Sequence, residues 1–209
     1  MKTAVLDYDV GNLASVIQGL KYAGLQPVLT RDRDEILSAK AVVLPGVGAF
    51  GQGMENLRKY NLLSIIDAVT SKGTPFLGIC LGMQLLFHES DEYGSHSGLG
   101  LLPGKVVRFP AGLKIPHMGW NTLNILNQHP FLEGIQSGSY VYFVHSYIAS
   151  DCEPSHIVAN TDYGVDFPAM VCLDNIVGVQ FHPEKSSRIG LKLLSNFGEM
   201  VRNGSNSGY

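Results

Sequence analysis

The stretch Phe76-Leu-Gly-Ile-Cys80-Leu-Gly82 constrains this chain more than any other, because an unbroken apolar run gives way at one residue to a helical pattern that continues to Phe87. A run apolar at every position suits a strand covered on both faces, as in a parallel sheet flanked by helices. A strand that turns at once into a helix needs strained backbone at the corner, and glycines at 78 and 82 remove side chains that would clash there.

The rest of the first half supplies such a sheet. Short β-rich runs at 3–8, 27–30 and Ala41–Leu44 alternate with helical patterns at 13–23 and 34–39, which is βαβαβ wiring. Leu13, Val16, Ile17 and Leu20 fall on one helix face, with Asn12 as N-cap and Gly24 where a C-terminal glycine belongs. Leu62, Ile65, Ile66 and Val69 repeat the pattern and stop at Gly73. Past Phe87 the texture changes: 90–98 is polar and Gly-rich, and 105–109, 122–126 and 140–148 read as strands joined by turns. Runs at 170–173 and 176–181 flank Asp174-Asn175, a hairpin turn, and Leu193, Leu194, Phe197 and Val201 mark a closing helix. The expectation is a single α/β domain over 1–202. Its sheet is doubly wound, mixed but largely parallel, flanked by helices and more antiparallel in the second half; 203–209 is expected to fray.

With 209 residues the chain can bury a core without staples. A net charge of −3 with no run of like charges argues against a nucleic-acid or anionic-membrane surface. The first residues lack the pattern of a secretory signal, and three cysteines without CxxC spacing fit a reducing compartment; both predict a cytoplasmic protein with no metal and no cofactor.

Cys80 is therefore the candidate nucleophile. A lone cysteine is most often packing, but the bracketing glycines reverse those odds, and a helix starting behind the sulfur would stabilise an anion there. Cys152, in a turn-like segment, and Cys172, inside a strand pattern, have no such corner and read as structural. A thiol nucleophile needs a base, and of seven histidines His182 is the candidate; the other six are bystanders. It ends the run at Phe181 and precedes Pro183-Glu184, so its extended backbone puts the Glu184 carboxylate on the same side as the imidazole. The Leu81 amide, first after the nucleophile, is a natural oxyanion donor, and Pro45-Gly46-Val47-Gly48, leaving a neighbouring strand, can supply a second.

At these residues the chain resembles the triad-type, class I glutamine amidotransferases: Pro45-Gly-Val-Gly48-Ala-Phe50, Gly78-Ile-Cys80-Leu-Gly82-Met-Gln84 and His182-Pro-Glu184 carry the likeness over most of its length. Asp7-Tyr8-x-x-Gly11-Asn12, Pro116-His-Met-Gly-Trp-Asn121 and Phe143-Val-His-Ser-Tyr147 are similar to one branch of that family, the glutaminase subunits of histidine biosynthesis. The resemblance implies that Cys80 attacks the side-chain amide of glutamine, that His182 carries the proton to departing ammonia, and that Glu184 orients His182. It implies an oxyanion hole from Val47 and Leu81, and a substrate site at Gly48, Gln84, Val144, Ser146 and Tyr147. It further implies a heterodimer with a barrel-shaped cyclase subunit that receives the ammonia, approached by Asn12, Met118, Trp120, Asn121 and Lys185. Many family members carry a second glycine where this chain has Val47, which resists positive φ, so a flip of the Gly46–Val47 peptide would control the hole. Two rival readings keep other occupants for the same corner: a different Cys-His-Glu glutaminase or γ-glutamyl hydrolase, and a non-catalytic metabolite-binding module in which Cys80 only packs.

Overall fold

A computed structural model describes residues 1–204. The first half builds β1 (Lys2–Leu6), α1 (Leu13–Tyr22), β2 (Gln26–Thr30), α2 (Arg33–Ser38), β3 (Ala41–Leu44), α3 (Phe50–Lys59), α4 (Leu63–Ser71), β4 (Phe76–Ile79) and the one-turn α5 (Leu81–Gln84). The second half is strand-rich: β5 (Phe87–Ser90), β6 (His96–Ser97), β7 (Leu102–Arg108), β8 (His117–Thr122), β9 (Asn124–Ile125), β10 (Tyr140–His145) and β11 (Tyr147–Ser150). After these come β12 (Ile157–Asp162), β13 (Asp166–Leu173), β14 (Ile176–Val179) and α6 (Ser187–Gly204).

Eight strands form the main sheet in the order β2-β1-β3-β4-β14-β13-β12-β9. Pairing is parallel from β2 to β14 and antiparallel beyond it, which is the expected mixed sheet with its antiparallel second half. Alternate residues along each strand face opposite layers. Thus Val5, Val43 and Leu77 pack with Leu20, Leu194 and Phe197 of α1 and α6, while Leu6, Val42 and Phe76 pack with Leu57, Ile66 and Ile36 of α2–α4. The hairpin at Asp174-Asn175 forms as read, with Leu173 opposite Ile176.

Two expectations are corrected, and one helix appears where none was read. The single strand foreseen at 140–148 breaks at Ser146: β10 pairs with β8 in a separate two-stranded sheet, and β11 joins β7 in a third sheet, ordered β11-β7-β5-β6. Residues 50–59 form a helix that the sequence pattern did not suggest, because Gly51 and Gly53 weaken it locally. Those glycines instead allow close contact, a Cβ on Gly53 lying 3.3 Å from Leu81 and one on Gly51 lying 2.7 Å from the His96 ring. The closing helix runs through Asn203 and Gly204, assigned above to a frayed tail; 205–209 lie outside the described residues. Among the described residues no helix is long and apolar enough to cross a membrane.

Candidate active site

Parallel neighbours β3, β4 and β14 end side by side, and the three segments singled out in the sequence leave from those ends. Cys80 sits at the corner between β4 and α5 with φ 53° and ψ −107°, a conformation that costs a non-glycine residue about 1–3 kcal/mol. The surroundings hold it there. The Cys80 amide donates to Val179 O at 2.8 Å, and a Cβ on Gly82 would lie 1.8 Å from Leu44 O, so the corner can press against β3 only with glycine at 82. A Cβ on Gly78 would meet the Gly82 carbonyl at 2.8 Å. The helix behind the sulfur is a single turn, so its dipole is smaller than the sequence pattern implied.

His182 Nδ1 lies 2.7 Å from Glu184 Oε1, and Asn12 Nδ2 donates to that same oxygen at 2.5 Å. Both triad side chains are buried, at 1% and 0% exposure. His182 Nε2 makes no ordinary hydrogen bond and lies against Cys80. Burial works against the imidazolium, but the sulfur and the Glu184 carboxylate outweigh it and push the His182 pKa up to about 10. The ring is thus held protonated, ready to give a proton away. Asn12 occupies the N-cap position of α1 in left-handed backbone, yet its side chain caps nothing there and serves Glu184 instead.

Neither of the two expected oxyanion donors is free. Leu81 N–H donates to Gly46 O at 3.3 Å, so the carbonyl of the Gly46–Val47 peptide occupies the donor that an oxyanion would need. A trans peptide holds its N–H opposite its C=O, so the Val47 N–H faces away. Just upstream, the buried Tyr8 hydroxyl donates to Pro45 O.

A cavity of about 400 Å³ opens beside the sulfur, lined among others by Val47, Gly48, Gln84, Val144, Ser146, Tyr147 and Lys185. All five expected substrate residues therefore gather at one hollow. Gln84 is already committed within it: its amide nitrogen donates to Tyr147 O at 3.1 Å and to Gln180 Oε1 at 3.0 Å. Glu92, buried at 9% exposure, also lines the hollow while accepting the Phe50 N–H at the start of α3. Sequence reasoning missed Glu92, which sits in a polar Gly-rich segment without periodicity, and Gln180, whose amide donates toward Cys80 Sγ at 3.7 Å.

Of the residues expected to meet a partner, Met118 and Trp120 are exposed, with Trp120 edge-on to Tyr142 at 5.9 Å, and Lys185 is exposed at the mouth of the hollow. Asn12 and Asn121 are half-buried and engaged internally, Asn121 donating to Asp162 O at 2.7 Å. Cys152 and Cys172 are part-buried, and burial pushes both thiols up to about 11, which keeps them protonated. Among the described residues no group of three or more His, Cys, Asp or Glu is arranged to hold a metal ion.

Residues 4–200 match the family described as "Glutamine amidotransferase class-I". The chain is 50% identical over 198 residues to the "Imidazole glycerol phosphate synthase subunit HisH" of Caldanaerobacter subterraneus subsp. tengcongensis, covering 95% of this chain and 98% of that protein. It is also 50% identical to the protein of the same name from Aquifex aeolicus, covering 94% and 96%. Among solved structures, one described as a glutamine amidotransferase superposes with a TM-score of 0.76 at 22% identity, over 96% of this chain and 98% of the other. PurLQS from Thermotoga maritima gives 0.75 at 21% identity, over 98% and 99%. At those identities the superpositions speak for the fold.

Proposed function

The chain belongs to the class I glutamine amidotransferases, and from that premise we propose that it hydrolyses glutamine as the HisH-type glutaminase subunit of an imidazole glycerol phosphate synthase. The observation that carries this reading is the buried Cys80–His182–Glu184 arrangement opening onto a hollow of about 400 Å³. The sulfur attacks the side-chain amide carbon of glutamine, forming a C–S bond and a tetrahedral oxyanion. As the C–N bond breaks, His182 gives its proton to the leaving nitrogen and ammonia departs, leaving a thioester. Water, losing a proton to His182, then attacks the thioester and releases glutamate. Glu184, itself steadied by Asn12, keeps the ring in the tautomer that serves both steps.

The remaining roles follow from placement. Glu92, a buried carboxylate on the hollow's wall, complements the α-ammonium of glutamine, while Gly48 and the backbone of Val144, Ser146 and Tyr147 border the headgroup. The Gly46–Val47 peptide must rotate before Leu81 and Val47 can both donate to the oxyanion, so the isolated subunit is slow and a partner that favours the rotated peptide accelerates it. One missing donor of this kind costs about 10²–10³ in rate.

Ammonium in water is not a nucleophile, so the ammonia is useful only if it passes unprotonated to a second site. Lys185 at the hollow, together with the exposed Met118 and Trp120 of β8, is where a cyclase subunit would seal the passage.

In a complex with such a cyclase, Cys80→Ala is expected to abolish glutamine-dependent synthesis while leaving synthesis from ammonium salts intact. Measuring both activities on one preparation tests the reading. Loss of both would assign Cys80 to structure rather than to chemistry.

A further inference from the structure

Outside the triad, one unbroken chain of hydrogen bonds runs through the buried interior from β8 to the sulfur. Asn121 Nδ2 lies 3.3 Å from His117 Nε2, and His117 Nδ1 lies 3.1 Å from His145 Nε2. His145 Nδ1 lies 2.9 Å from Tyr147 O, which also accepts from Gln84 Nε2 at 3.1 Å. Gln84 donates to Gln180 Oε1 at 3.0 Å, and Gln180 Nε2 reaches Cys80 Sγ at 3.7 Å. The four central side chains are buried, with exposures of 3% for His117, 6% for His145 and Gln84, and 0% for Gln180.

Direction in this chain is forced from both ends. Asn121 Oδ1 accepts the Thr122 N–H at 2.8 Å, so the nitrogen of its amide faces His117, whose Nε2 must accept. A carbonyl can only accept, so His145 must carry its proton on Nδ1. Both requirements give the same answer, Nδ1–H on each ring, and the link between the rings is then satisfied. At the other end, Gln84 spends its amide protons on Tyr147 O and Gln180 Oε1. That fixes the Gln180 amide with its oxygen toward Gln84 and its N–H toward the sulfur.

We propose that this chain is a positioning relay for the nucleophile, in which the His117–His145 pair holds the Tyr147 carbonyl in place, and that carbonyl, through Gln84, sets the orientation of the Gln180 amide and so the sign of the dipole that Cys80 faces. A reversed amide would present an oxygen to an anionic sulfur, and an absent one would leave the sulfur without that donor. The relay also ties the reacting atom to β8, whose Met118 and Trp120 are exposed. Its kinetic readout rests on the glutaminase reading above; its structural readouts do not.

Nitrogen-15 NMR of the full chain at neutral pH should show both rings as Nδ1–H tautomers with unprotonated Nε2, the reverse of free histidine in water. Gln180→Leu is expected to slow iodoacetamide alkylation of Cys80 and to lower kcat for glutamine by about tenfold with KM little changed, as for loss of one hydrogen bond to a charged group. Gln180→Glu, which puts a negative charge beside the sulfur, should be slower still in both assays. Finding either ring as Nε2–H, or equal alkylation rates in all three proteins, overturns the relay. Wild-type protein that gives the expected tautomers and alkylation order yet forms no glutamate with a cyclase would refute the glutaminase reading and leave the relay standing.

Discussion

The two walls of the catalytic hollow differ in how completely they are built. On the wall made by α5, the residue after β14 and the start of β11, the polar side chains of Gln84 and Gln180 have partners, and the Gln180 amide donates toward the sulfur. On the opposite wall, Pro45–Gly48, one peptide carbonyl sits on the Leu81 amide, the donor proposed for the oxyanion. The first wall is fixed by several interlocking hydrogen bonds; on the second the Tyr8 hydroxyl holds Pro45 O, but the peptide that must turn is held by one bond at 3.3 Å, beside glycines that offer little resistance to rotation. A glutaminase that should work only beside its consumer gains from this inequality, since the nucleophile stays ready while the oxyanion hole waits.

Substitutions can break or sharpen the contrast. Gly82→Ala attacks the fixed wall at its tightest point, where a Cβ would stand 1.8 Å from Leu44 O. The expected cost is about 3 kcal/mol or more in chemical denaturation, with activity lost in step, and an unchanged denaturation midpoint would show that this wall yields. Val47→Gly acts on the adjustable wall by removing the bias against the rotated peptide. It is expected to raise the unpartnered glutaminase rate by about tenfold and the partnered rate far less, part of the 10²–10³ that a missing oxyanion donor costs. An unpartnered rate that stays flat would locate the restraint elsewhere.

The smallest effect concerns acid. Burial pushes His117 down to about 4 and His145 down to about 3, so in the folded protein both stay neutral where the unfolded chain, near 6.5, takes up protons. Their contribution to stability is whole above pH 6.5 and is lost as pH falls toward 4 and 3. His117→Phe keeps a ring to stack on Phe143 and Tyr163 but removes one such group. Its melting temperature should therefore fall less between pH 7 and 4.5 than that of the wild type, by about a few degrees. Parallel curves would mean that the histidine pair is not kept neutral by the fold.

The histidine pair also shows where sequence reading stopped. Six of seven histidines looked like spectators, because one base is all the chemistry needs, and nothing in the spacing of 117 and 145 joins them. They meet because β8 and β10 pair in a register that sets His117 opposite His145. Gln180 was hidden for a similar reason: it lies between an apolar strand and His182, and only the parallel pairing of β14 with β4 puts it beside Cys80. Asn12 read as a helix cap because local chemistry favours asparagine there, until the fold brought Glu184 to it.

By itself the sequence determined the corner at Cys80, the βαβ order that sets the strand ends side by side, and the neighbourhood of His182 and Glu184. Each depends on residues within a few positions of one another, where periodicity, glycine spacing and a following proline act directly on the backbone. The tertiary structure decided which way the Gly46–Val47 peptide faces, which tautomers His117 and His145 carry, and which end of the Gln180 amide meets the sulfur. Those are choices between orientations of nearly equal local energy, and they are settled by hydrogen-bond partners brought from distant parts of the chain.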